Sequence, residues 1–122
     1  MKNNPVVWFE IYVQDMERAK RFYEEVFQFT LQKLPGTDLE MWAFPSDMSA
    51  TGAAGSLVKM QGVPSGGSTL VYFACEDCAV EEARVAKAGG RIDKKKMSIG
   101  QYGFISLLVD TEGNMVGLHS MK

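Results

Sequence analysis

From Val6 to Val13 the side chains alternate with a period of two. Val7, Phe9, Ile11 and Val13 fall on one side of a strand, and Trp8, Glu10 and Tyr12 on the other. The second set is also largely apolar, which predicts a strand covered on both faces. The period then changes. Asp15 is a good helix N-cap, because its carboxylate can accept from the first free amides of the helix. After it, Ala19, Phe22, Tyr23, Val26 and Phe27 recur at spacings of three and four, predicting one apolar stripe toward the core. Glu17, Arg18, Lys20, Arg21, Glu24 and Glu25 form the outer face.

Three strands are predicted next: Phe29–Leu34, Glu40–Phe44 and Gly55–Met60. Pro35-Gly36-Thr37-Asp38 makes a turn between the first two, and residues 46–53 form a small, polar loop. Gln61–Ser68, QGVPSGGS, reads as a linker. The pattern then repeats. Asp15 maps onto Asp77, a step of 62 residues that also carries Gln28 onto Gly90. The second half is predicted to hold a strand over Thr69–Cys75 and a helix over Cys78–Ala88 stopped by Gly89-Gly90. Strands follow over Ile92–Met97, Tyr102–Val109 and Met115–Ser120, with a turn at Asp110–Asn114. The expected architecture is α+β: paired βαβββ modules in one domain, module one at about 5–60, the linker at 61–68 and module two at about 69–122.

Composition narrows the function. Apolar residues make up 46% and charged residues 23% of the 122 positions, ordinary for a soluble globular chain. A net charge of −2 argues against nucleic acid, whose phosphates require a basic surface. The only basic run, Lys94-Lys95-Lys96, reads as the solvated end of a strand. Cys75 and Cys78 have CxxC spacing at the start of a helix, but Glu76 and Asp77 between them disfavour a thiolate, and redox chemistry is the weaker reading. Free thiols, with no signal peptide and no long apolar segment, lead to the expectation of a cytoplasmic protein without membrane attachment.

Three stretches carry a family likeness. FEIYVQDMERAKRFYEEVF, ACEDCAVEEARVAKAGGRI and LLVDTEGNMVGLHS occur in order at matching intervals. Together they resemble the vicinal oxygen chelate superfamily, which includes glyoxalase I, extradiol dioxygenases, and fosfomycin- and bleomycin-resistance proteins. Thr111 stands where that family's final turn usually has Pro. The resemblance implies an open, cup-shaped sheet with helices on its convex side, a ligand in the concavity and a homodimer that completes each cup across subunits.

The resemblance also implies four metal-ligand positions, held by His, Glu or Gln on the first and last strands of each module. Counted from the motifs, they fall on Trp8, within Gly55–Val58, on Leu70 and on Gly117. None carries a family-type ligand, and only Ser56 is polar. No metal or other cofactor is therefore expected. The residues expected to line the cup are Trp8, Glu10, Tyr12, Tyr72, Phe104 and His119. For the strand over Tyr102–Val109, either Phe104, Ser106 and Leu108 or the alternate set would face inward. Glu10 and His119 are the candidate acid–base residues, and structural roles for both stay open. Trp42 is expected in the core.

The leading expectation is a small-molecule-binding protein that takes an aromatic or amphipathic ligand without a metal. The alternatives are a glyoxalase-like lyase, isomerase or dioxygenase with an atypical metal site or Glu10/His119 chemistry, and a partner protein whose cup is filled by its own side chains.

Overall fold

The computed structural model describes residues 4–63, 69–111 and 114–122. Part of the expected linker, residues 64–68, and Glu112-Gly113 of the last turn lie outside the described residues. The chain runs β1 (Val6–Tyr12), α1 (Met16–Phe27), β2 (Gln32–Lys33), β3 (Glu40–Ala43), β4 (Ala54–Lys59), β5 (Thr69–Ala74), α2 (Cys78–Val85), β6 (Arg91–Ser98), β7 (Phe104–Val109) and β8 (Met115–Ser120). This is the α+β order of two βαβββ modules. It forms two compact units, one of residues 8–69 and one of residues 70–122 together with the start of the chain through Val7.

In the first unit the strands lie in the order β2-β3-β4-β1. β1 and β4 run parallel, pairing Glu10 with Ser56 and Tyr12 with Val58. Parallel neighbours cannot be joined by a tight turn, so α1 and the β2–β3 hairpin fill the crossover. Phe9, Ile11 and Val13 take the helix side. Val13, Met16, Leu31 and Leu57 form the buried core there, flanked by Ile11, Ala19, Tyr23, Trp42 and Phe44. Trp42 thus packs, partly buried, against the core, its ring beneath the Lys20 ammonium at 3.3 Å.

Asp15 caps α1 by accepting from the Arg18 amide at 3.0 Å. The helix ends at Gln28, which takes a left-handed conformation (φ 58°). That reversal redirects the chain after it, and the expected strand Phe29–Leu34 shrinks to Gln32–Lys33. Phe29 stacks on Phe27 instead, and the Leu31 amide donates to the Glu24 carboxylate at 2.9 Å. A second correction concerns the helix itself. Ala19 and Tyr23 pack on the core, but Phe22, Val26 and Phe27 are 56%, 55% and 56% exposed. The apolar stripe is wider than the surface available to cover it.

In the second unit the order is β5-β8-β7-β6. β5 and β8 are parallel, with Tyr72 opposite Gly117 and Ala74 opposite His119. α2 packs on β6, β7 and β8. Cys78, Leu108 and Leu118 form the core, with Phe73, Cys75 and Val85 against it. α2 stops at Val85, three residues short of expectation, as the Ala88 and Gly89 amides tighten onto the last turn and Gly89 adopts φ 100°. The strand expected from Tyr102 begins at Phe104, because Gly100–Tyr102 form a 3-10 turn and Gly103 takes φ 101°.

Lys96 does not project freely from the basic run. Its ammonium meets the Asp77 carboxylate at 2.7 Å and lies over the Phe104 ring. Asp77 also caps α2 through the Ala79 amide. The hydrogen bond from Lys96, and next the one from Ala79, hold the Asp77 carboxyl below its ordinary value of 3.8. A depressed folded-state pKa adds stability above the unfolded value, and that stability fades as pH falls through it. Asp77→Asn keeps a capping side chain but removes the charge pair. Urea midpoints followed from neutral pH down to about pH 3 should therefore fall less steeply in Asp77→Asn than in the parent chain.

Candidate functional site

The far face of β1, opposite α1, carries Trp8, Glu10 and Tyr12. Glu10 is only 8% exposed, and its carboxylate collects donors from both neighbours on its own strand. The Tyr12 hydroxyl donates to one oxygen at 2.7 Å and the Trp8 indole N–H to the other at 3.3 Å. A buried carboxylate needs such donors. They also fix the two ring systems on either side of it. Ser56, in register with Glu10 on β4, is fully buried, and its hydroxyl has no hydrogen-bond partner among the described residues. The face therefore has a buried polar centre flanked by two aromatic residues.

Two surface clefts open in this unit, at the end of β1. One, of about 290 Å³, is lined by Tyr12, Gln14, Asp15, Arg18 and Tyr23 among others. The other, of about 470 Å³, is lined by residues including Gln14, Glu40, Lys59 and Met60. Of the expected site residues only Tyr12 reaches either cleft. The Trp8–Glu10 part of the face lies outside both.

In the second unit the far face of β5 and β8 carries Leu70, Tyr72, Gly117 and His119. The Tyr72 ring lies directly on Gly117, so a Cβ at 117 would collide with ring carbons. His119 points Nε2 at the Tyr102 carbonyl oxygen, 2.6 Å away. A carbonyl only accepts, so Nε2 carries the proton in this contact. On β7, Leu108 belongs to the helix-side core, and Phe104 and Ser106 share its parity. Phe104 therefore does not lie on the His119 face, as its contact with Lys96 also shows. Its neighbours Ile105 and Leu107 take that face, opposite His119 and Gly117.

The repeat locates the ligand position that counting could only bracket. A step of 62 maps Glu10 onto Tyr72. Glu10 pairs with Ser56 and Tyr72 with Gly117, so Ser56 is the counterpart of Gly117. Within Gly55–Val58, Gly55 belongs to the other face, where a Cβ would strike Phe9.

The CxxC cysteines are both free. Cys78 is completely buried, and burial first, then the Glu81 carboxylate, push the Cys75 thiol up to about 11. The thiolate is disfavoured as expected, though by burial and Glu81, since Asp77 is engaged with Lys96.

The first module matches the family model "Bleomycin resistance protein-like N-terminal" over residues 6–41. Among solved structures, the fold is similar to methylmalonyl-CoA epimerase from Mycobacterium tuberculosis, with a TM-score of 0.72 at 14% identity, covering 97% of this chain and 88% of that one. It is similar to a single-residue variant of the Streptomyces coelicolor methylmalonyl-CoA epimerase in complex with 2-nitronate-propionyl-CoA, with a TM-score of 0.68 at 15% identity, covering 98% of each chain. It also resembles a hypothetical protein from Bacillus halodurans C-125, with a TM-score of 0.72 at 11% identity, covering 100% of this chain and 96% of that one. No curated protein matches the sequence. The family model covers only residues 6–41, and the shared fold agrees with the resemblance to the vicinal oxygen chelate superfamily. At these identities the structural likeness is one of fold.

The four positions do not fit that superfamily's divalent cation. Trp8 offers an indole N–H that donates to Glu10, Leu70 is an alkyl group, and Ser56 offers a single hydroxyl. Gly117 has no side chain, and the Tyr72 ring occupies the space one would need. Among the described residues, no three His, Cys, Asp or Glu side chains are grouped so as to hold a metal ion. Nor, among those residues, is any helix long and apolar enough to cross a membrane.

The contact between Tyr72 and Gly117 has a measurable energetic signature. Gly117→Ala should destabilise the fold by about 1–3 kcal/mol through overpacking. In a Tyr72→Ala background the same change should have almost no further effect, because the colliding ring is gone. Urea denaturation of the two single variants and the double variant tests this coupling.

Proposed function

We propose that this protein binds a small aromatic or amphipathic molecule and does so without a metal at the superfamily's usual positions. One observation carries the reading: the position on the last strand is a glycine covered by the Tyr72 ring, so an aromatic surface stands where a ligating side chain would project. The far face of β1 supports it. There Trp8 and Tyr12 are oriented by hydrogen bonds to the buried Glu10, which preorganises two π-faces around one polar centre. The match of residues 6–41 to a bleomycin-resistance-like model agrees with a binding role.

In this reading Trp8 and Tyr12 contact the ligand, and Glu10 is a positioning residue that holds their rings. Tyr72 and His119 are the equivalent candidate contacts on the second unit's own far face. The protein acts as a homodimer inside the cytoplasm.

Two measurements test the proposal. Tryptophan fluorescence titrated with a panel of planar aromatic and amphipathic compounds should show saturable quenching by at least one of them. Trp8→Ala or Tyr12→Ala should weaken that binding by about tenfold or more. Equilibrium dialysis against Zn, Ni, Mn and Fe should show no stoichiometric uptake. Uptake of one ion per chain that disappears on mutation of Trp8, Glu10 or His119 would sink the proposal.

A further inference from the structure

We propose that two copies of this chain pair through α1, with the helices antiparallel about a two-fold axis between Arg21 and Phe22. This dimer is distinct from the cup-completing one that the family resemblance implies. Phe22 and Val26 lie one helical turn apart and are both more than half exposed, although their spacing fits a core stripe. Arg18 and Glu25, also exposed, share this flank of the helix one turn before Phe22 and one turn after it. Neither has a salt-bridge partner among the described residues. The flank therefore reads, from N- to C-terminus, as a cation (Arg18), an apolar group (Phe22), an anion (Glu25) and a second apolar group (Val26).

Such a flank is complementary to itself only when reversed. Antiparallel pairing about that axis sets Arg18 opposite Glu25 of the partner subunit at both ends, and brings the Phe22 side chains together in the middle. Parallel pairing would oppose Arg18 to Arg18 and Glu25 to Glu25. A two-fold axis demands this self-complementarity, so a second copy is a fitting occupant. α1 covers the face of its strands opposite Trp8, Glu10 and Tyr12, and pairing through it leaves that face unobstructed. An interface of one 12-residue helix from each copy falls below the roughly 1,200–2,000 Å² of stable complexes, so the dimer should dissociate on dilution.

Sedimentation velocity on the full chain, from low micromolar to near-millimolar concentration, tests the inference. A sedimentation coefficient that rises with concentration and falls with added salt is expected. Phe22→Glu should raise the dimer dissociation constant by about tenfold or more. Arg18→Glu and Glu25→Arg should each weaken the dimer, and the double reversal Arg18→Glu/Glu25→Arg should restore it. If Phe22→Glu disturbs folding, the charge reversals carry the test, since they change only exposed groups. A chain that stays monomeric throughout, or a dimer indifferent to all these changes, would overturn the inference and point to a different partner for α1.

Discussion

Within each unit the first and last strands run parallel and side by side, and the rest of the unit follows from that pairing. Parallel strands need a long crossover. Here it contains a helix and a two-stranded hairpin, and the helix returns across one face of the pair. Alternate residues of the first strand are then divided between two environments. Ile11 and Val13 meet the core and Phe9 packs on Phe44, while Trp8, Glu10 and Tyr12 take the far side, where both rings hydrogen-bond to the Glu10 carboxylate. The same division in the second unit sends Phe73 toward α2 and leaves Tyr72 over Gly117. A slip of one residue in either pairing would exchange core and site.

The central register positions of the two units carry different chemistry. In the first, a buried carboxylate faces a buried hydroxyl, and Trp8 and Tyr12 arrange themselves around the carboxylate. In the second, an aromatic ring faces a glycine. Duplication explains why the positions correspond, but the side chains have diverged to solve separate packing problems. Glu10 is held as an acceptor, and His119 is held as a donor to the Tyr102 carbonyl.

Much of this could be read from the sequence, because period-two and period-3.6 patterns report local geometry directly. β1, α1 and its Asp15 cap, the start of α2 and β8 all lie where alternation and capping chemistry put them. The failures arise where neighbours decide. Phe29–Leu34 has strand composition, but the left-handed Gln28 and the Glu24 carboxylate redirect it. Phe104 is aromatic and on the right strand, yet the parity of β7 follows from its pairing with β8, which composition does not reveal. On α1, apolar spacing marks five residues as inward-facing, but spacing cannot tell how much of the helix the strands beneath will cover. Of the site, the alternation of Trp8, Glu10 and Tyr12 was legible. The hydrogen bonds that join them and the ring over Gly117 were not, because both depend on side-chain direction.

The fit of the Tyr72 ring onto Gly117 also limits the paths this chain can take by mutation. Any single replacement of Gly117 by a ligating residue meets the ring and strains the fold, while a smaller residue at 72 alone leaves an unfilled hollow. Each first step is penalised in the absence of the other. Placing a ligating side chain on the last strand therefore requires two coordinated changes, so the pair Tyr72–Gly117 is a local optimum that single substitutions leave only at a cost.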